Sequence, residues 1–423
     1  MLIDFSLENF GPYCERATLS MLGSTDGESL SNVVPSHAAR GGILTSAVIF
    51  GPNASGKSYM IKAMAALQAM VSGPVPPGYE YPWYRPFMMS AATAKAPVSL
   101  GIDVIIDGTV YCYSITFNSK RVVAESLHSY PNGHKSIVFI REGSEFRFGR
   151  TNAKGQKGIS QMTGPGSAYL AVAAQFNNAV CSAVHDAIMN SIAVIPDGRE
   201  AALMHSVSMI ESDPELKSTV LRALRMADTG ISDIRIEKGT LGKTHGTRDP
   251  RMPYPGIWPS DAVPDTRRVW LVHDHKGADN PAGLVVPMDC ESEGTWQLIG
   301  QMVPIVDALM RGGTVVIDEF ASNLHPRIGR WLLSLFGSQT NPFGAQLVAS
   351  TNDHTLMDME TLLRKDQVYF AHKDSVTGAS ELYSLFDYDE GWLADDISVR
   401  LPRMYQPLPH ISDDILVRRA RQY

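Results

Sequence analysis

The residues best placed to do chemistry lie in Gly51-Pro-Asn-Ala-Ser-Gly-Lys-Ser58, which fits G-x-x-x-x-G-K-[ST]. Its glycines let backbone N–H groups close around phosphate oxygens, and a helix starting there adds the positive end of its dipole. In this pattern Lys57 reaches the β- and γ-phosphates, and the Ser58 hydroxyl sits on Mg²⁺. An acidic pair, Asp318-Glu319, ends the apolar run Gly312-Gly-Thr-Val-Val-Ile317. Beside a phosphate loop, the first acid holds Mg²⁺, usually through water, and the second orients and polarises the attacking water. A third cluster, Glu291-Ser-Glu-Gly-Thr295, leads into the apolar-periodic stretch 296–310. Alone it reads as a helix cap; placed before the acidic strand, its N–H and hydroxyl donors also suit another phosphate.

These groups need particular elements behind them. Residues 47–50 read as a short buried strand, and 59–71 have helix composition without Gly or Pro, so the glycine turn is predicted between strand and helix. Residues 2–7 alternate as a half-buried strand, Asn9-Phe-Gly-Pro12 is a turn, and 16–22 form a returning strand. Residues 24–42 read as a loop rich in Gly, Ser and Asn. The aromatics of Tyr81-Pro-Trp-Tyr-Arg-Pro-Phe87 are expected to pack in core or loop rather than line a ligand site. An antiparallel meander is predicted over 98–148, with Asp107-Gly108 as a type I′ hairpin signal. Residues 169–195 and 214–227 are helical in composition and suggest a compact helical subdomain. Residues 241–265 read as an exposed loop; its Gly242-Lys243-Thr244 lacks the first glycine of a phosphate loop, since Glu237 stands there. Short strands follow at 268–272 and 284–287, and a second strand–helix series runs from 314.

Composition narrows the field. The 423 residues are 44% hydrophobic and 19% charged, which is ordinary for a globular protein of two or three lobes. A net charge of −7 argues against a broad nucleic-acid surface. Cys14, Cys112, Cys181 and Cys290 make no C-x-x-C pair, so free thiols in a reducing compartment are expected. The start Met1-Leu-Ile-Asp-Phe5 has no basic n-region, and no apolar run is long enough for a bilayer. The expectation is a cytoplasmic protein with no membrane partner. His273-Asp-His275 could share a metal but finds no third ligand nearby, so polar strand-end residues are the preferred reading. Arg418, Arg419 and Arg421 form a small basic tail that reads as solvated.

The order of the motifs resembles the ABC-type ATPase heads of the RecF, SMC and Rad50 group: phosphate loop, distant Ser-x-Gly at a helix start, acidic strand, then Ser322-Asn-Leu-His-Pro326. The chain is more closely similar to AAA15-type ATPases related to RloA and AbiLi. That likeness rests on Asn9-Phe-Gly-Pro12, Glu291-Ser-Glu-Gly-Thr295, Val316-Ile-Asp-Glu-Phe320, Leu324-His-Pro326 and Ala379-Ser-Glu-Leu-Tyr-Ser-Leu385, and it spans nearly the whole chain. It implies an α/β fold: an ABC-type P-loop head with an antiparallel β lobe and a helical lobe, without a long coiled coil. The implied divisions are 1–160, an ATPase lobe with phosphate loop and meander; 161–267, a helical insertion; and 268–423, a lobe with signature and acidic strand.

By matching position, the resemblance puts phosphate and Mg²⁺ contacts on Gly51, Asn53, Ala54, Ser55, Gly56, Lys57 and Ser58, metal assistance on Asp318, and the hydrolytic acid on Glu319. Ser292, Gly294 and Thr295 would act in trans on the γ-phosphate held by a second copy, with Leu324 and His325 in the dimer-contact loop. Relatives usually carry Thr-Thr-His after the strand at 345–349; here the run is Ser350-Thr-Asn352-Asp353-His354, so Asn352 takes the sensor histidine's place and His354 is the substitute two residues on. Asn hydrogen-bonds phosphate without carrying charge. Slow hydrolysis is the resulting expectation. Gln68 is a poor candidate for a glutamine loop, and the stretch 399–405 lacks the Gly-rich ending of relatives.

What the resemblance implies biologically is an ATP- and Mg²⁺-dependent regulator in phage defence. It would form a head-to-head dimer or higher oligomer, hold an effector such as a Toprim-type nuclease or other toxin, and respond to a phage-encoded trigger. PARIS-type defence pairs include ATPases of this broad group. Two rivals stand beside it: a repair ATPase of the RecF type acting on DNA directly, and a nucleotide-locked scaffold with negligible turnover.

Overall fold

The computed structural model describes residues 1–25, 32–37, 39–76, 78–149, 155–195, 199–227, 229–237, 267–274, 283–337 and 341–387. Its centre is a six-stranded sheet in the order Ile192–Ile195, Thr314–Ile317, Gln346–Ser350, Ser46–Phe50, Val368–Lys373, Ser380–Ser384. All neighbours are parallel except the last pair. Parallel strands are covered on both faces and so read as continuous apolar runs. Ser46–Phe50 is buried at every position. Its period of two sends Ala47 and Ile49 into one core, Val48 and Phe50 into the other.

The first core is roofed by the helix Lys57–Val71, buried from Met60 almost all the way round, as a helix in a core must be apolar on every side. The second is roofed by Glu293–Arg311, whose Ile299, Met302 and Val303 are buried, with Arg199–Ser212 and Pro214–Met226 packed against it. Asp213 caps the last of these through the N–H groups of Glu215 and Leu216.

Beyond the first helix lies a seven-stranded antiparallel sheet, Glu145–Phe148, Ser136–Glu142, Val122–Tyr130, Thr109–Phe117, Val98–Ile106, Leu2–Glu8 and Ala17–Ser20, in that order. The Asp107-Gly108 hairpin has φ of 48 and 75°, the left-handed pair a type I′ turn requires. In the second half, Ile231–Glu237, Arg268–His273 and Leu284–Pro287 form a three-stranded antiparallel sheet. Among the described residues the longest helix is the 19-residue Glu293–Arg311, so no long coiled coil is present there. Among the described residues no helix is long and apolar enough to cross a membrane.

Two expectations need correction. The helical run at 169–195 is two helices and a strand. Asn177 turns left-handed at φ 57°, Asn178 caps Ala179–Asn190 by accepting from Cys181 N, and Ile192–Ile195 pairs in parallel with Thr314–Ile317. The β-branched run Ile-Ala-Val-Ile gains more by extending the sheet than by continuing a helix. The loop at 24–42 also contains an antiparallel pair, Val33–Ser36 with Ala39–Leu44, where backbone pairing outweighs a loop-like composition. Residues 241–265 and 399–405, His275 and the basic tail at Arg418, Arg419 and Arg421 lie outside the described residues.

Candidate functional site

The phosphate loop follows the central strand because its glycines make a turn no Cβ could share. Gly51 has φ 154° and its Cβ would come 2.5 Å from Ala371 O; Gly56 has φ 111° and opens the helix as its N-cap. Ala54 is left-handed too, at φ 65°, and such alternation of backbone handedness curls successive N–H groups into an anion-binding concavity. Lys57 folds back over the loop, its Nζ donating to Gly51 O at 2.6 Å and Pro52 O at 2.9 Å. The lysine is 8% exposed, and burial lowers its ammonium to about 8, although Asp318 and Glu319 pull it upward.

The acids arrive from one strand of the same sheet, two places from the phosphate-loop strand. Asp318 and Glu319 directly follow Thr314–Ile317, and Asp318 N donates to Ile195 O at 2.9 Å. Ser350, at the end of Gln346–Ser350, serves both acids: its hydroxyl donates to Asp318 Oδ1 and accepts from Glu319 N at 3.1 Å. Asp318 is 5% exposed, and its Oδ2 is buried without a hydrogen-bond partner among the described residues. An orphaned carboxylate oxygen in a buried site is what a hard cation's ligand shell would satisfy. The residues present therefore fit Mg²⁺, which Ser58 and Asp318 would hold. The cation would neutralise charge on phosphate oxygens.

Of the two candidate phosphate sensors, Asn352 is joined to the loop: its Nδ2 donates to Asn53 Oδ1 at 3.2 Å. His354 is exposed and starts the 3₁₀ turn His354–Leu356, capped by Asp353. Gln68 is buried and donates to Ile188 O at 2.8 Å and Ile192 O at 2.7 Å, a structural role. Ser292, which the structure does not bring to the phosphate-loop cleft, caps Glu293–Arg311 by accepting from Thr295 N at 3.2 Å. His273 binds Glu291 Oε1 through Nε2 at 2.7 Å. His325 caps Pro326–Ser334, its Nδ1 accepting from Arg327 N at 3.2 Å.

Several participants were not singled out from the sequence. A cleft of about 620 Å³ opens beside the phosphate loop, lined by Tyr84, Met88 and the cations Lys57, Lys62, Arg85 and Lys373, with no acid among the described residues. Tyr81 and Trp83 are buried in the core, as read from the sequence, but Tyr84 to Met89 edge this cleft. Ser350 was quoted within a motif without a role. A hydroxyl at a strand end next to the acidic strand is the only local signal it offers.

A strand–glycine turn–helix phosphate loop and, two places along the same parallel sheet, a strand ending in two acids define a P-loop ATPase domain on an α/β body with an antiparallel lobe. More than half of the chain, residues 46–178 and 258–358, matches the family described as "AAA domain, putative AbiEii toxin, Type IV TA system", and the chain belongs to that family. No curated protein matches the sequence. Among solved structures, an SMC head bound to the C-terminal winged-helix domain of ScpA is 11% identical, with a TM-score of 0.49 over 90% of this chain and 97% of that one. The SMC head domain of Thermotoga maritima is 13% identical, with a TM-score of 0.40 over 90% and 98%. A Pyrococcus furiosus SMC head with an extended coiled coil, bound to the C-terminal domain of ScpA, is 10% identical, with a TM-score of 0.41 over 91% and 96%.

Proposed function

We propose that this protein binds ATP with Mg²⁺, hydrolyses it slowly, and uses the nucleotide state to restrain or position a toxic effector in phage defence. The observation that carries the reading is the convergence of Lys57, the half-satisfied Asp318 carboxylate, Glu319 and Asn352 on one phosphate loop. Lys57 would exchange its loop carbonyls for phosphate oxygens. Glu319 would polarise the attacking water, and Asn352 would donate an uncharged hydrogen bond to the terminal phosphate, which favours slow turnover. The cationic cleft beside the loop would take the rest of the nucleotide. Ser292, Gly294 and Thr295 would meet the nucleotide of a second copy, closing a head-to-head dimer. The toxin–antitoxin description of the family supports the defence setting, in which the toxic chemistry would be a partner's.

The test is purification of the tagged protein from its own operon, with mass spectrometry of what accompanies it and turnover measured on the same sample. A stoichiometric nuclease-like partner that is lost with Lys57→Ala supports the reading. Protein that comes alone and hydrolyses ATP faster on added DNA refutes it in favour of the repair ATPase. The Asn352 contact also favours a second reading, a nucleotide-locked scaffold. Glu319→Gln separates the two: a catalyst loses turnover, whereas a scaffold keeps its function.

A further inference from the structure

The helix that starts at Ser292 is tied to the loop that carries Glu319 by two buried glutamines four residues apart, and hence on one helix face. Gln301 Oε1 accepts from Ala321 N at 3.0 Å, and its Nε2 donates to Glu319 O at 3.3 Å. Gln297 Nε2 donates to the same Glu319 carbonyl at 3.2 Å and to Ser322 Oγ, while its Oε1 accepts from Asn323 Nδ2 at 3.4 Å. The loop needs this grip. Glu319, Ala321 and Asn323 are all left-handed, with φ of 53, 58 and 59°, a conformation that non-glycine residues hold only when their surroundings impose it. At the helix start, Gly294 lies so close that a Cβ would come 2.9 Å from Asn323 O. No space is left there for the loop to shift independently.

We infer that Gln297 and Gln301 are positioning residues that make the Ser292–Thr295 turn and the Glu319 loop one mechanical unit. Resting on the function proposed above, this means that a phosphate met by the turn sets the placement of Glu319, which serves the chain's own nucleotide. Occupancy of one site then controls hydrolysis at the other, and by linkage the reverse holds for binding. The side chains do so through the backbone, because both glutamines bind the main chain of Glu319 rather than its carboxylate.

The experiment compares wild type, Gln301→Leu and Ser292→Ala, singly and combined, in the full chain, with melting temperature, ATP affinity and turnover measured on each. Gln301→Leu is expected to keep ATP affinity within about two-fold while turnover falls about 10- to 100-fold. Adding Ser292→Ala should then cost little more, since the link is already cut. A Gln301→Leu protein that turns over like wild type, or two losses that multiply independently, overturns the inference. Gln297→Asn, which keeps the amide but shortens its reach, replaces Gln301→Leu should that variant not fold. Wild type that binds ATP without turnover refutes hydrolysis but leaves this inference open to amide exchange. ATP must then protect Ala321 to Asn323 in wild type and not in Gln301→Leu, and equal or absent protection in both overturns it.

Discussion

On the function proposed above, Lys57 would exchange its loop carbonyls for phosphate oxygens. Its lowered value of about 8 comes from burial against carbonyls that only partly replace water. The unfolded lysine holds its proton more tightly, so stability of the free protein rises with pH from about 8 toward the ordinary lysine range. Phosphate restores the charge. ATP binding should therefore take up almost no proton near pH 7 and approach about one per site by pH 9, with affinity falling over the same range. Calorimetry in two buffers of different ionisation enthalpy measures this directly. Ser350 is the second informative residue, because one hydroxyl serves Asp318 Oδ1 and Glu319 N. Ser350→Ala removes the donor to the buried Asp318 Oδ1, and should cost about 1.5–3 kcal/mol in urea denaturation. Turnover should fall while ATP still binds.

At the scale of elements, the antiparallel lobe is fastened to the rest of the chain by a buried ion pair. Glu125 accepts from Tyr113 Oη, from Tyr169 N at 2.7 Å and from Leu170 N at 2.9 Å, while Arg141 donates to Ser167 O at 2.7 Å. The two side chains, 0% and 2% exposed, lie 3.5 Å apart. Burial raises the Glu125 carboxyl, opposed first by Arg141 and then by the two backbone N–H groups at the start of Tyr169–Gln175. Breaking one partner leaves the other charged in the core, so Arg141→Met should lose about 3–5 kcal/mol of stability, checked by denaturant titration. The pair was not legible beforehand: Glu125 and Arg141 sit on strands whose alternation says which face each residue takes but not what meets it there. The hairpin at Asp107-Gly108 was legible, because its left-handed backbone is a property of those two residues alone.

At the scale of the whole molecule, the two apolar cores on either face of the parallel sheet divide the work. One carries the phosphate-loop helix, and the other carries the helix headed by Ser292. The sheet between them brings Lys57 and Asp318 together. On the function proposed above, assembly follows the nucleotide. Glu319→Gln with Mg²⁺–ATP should run at twice the monomer mass by light scattering, and Ser292→Arg, which would crowd the partner's phosphate, should remain at the monomer mass under the same conditions. A Glu319→Gln protein that stays monomeric would count against the head-to-head dimer.

Sequence alone determined the phosphate loop, the acidic strand and the meander. Each is a contiguous stretch whose backbone chemistry or period of two is set by its own residues. It did not determine that Ile192–Ile195 would leave a helical neighbourhood to edge the central sheet, since that gain exists only beside Thr314–Ile317. Nor did it show which side chain after the strand Gln346–Ser350 would meet the phosphate loop. The structure joins Asn352 to Asn53, 299 positions away, and Ser350 to Asp318, 32 away. Such contacts depend on which strands neighbour one another and in what register, quantities that arise from packing the whole chain and leave no mark in the spacing of any one segment.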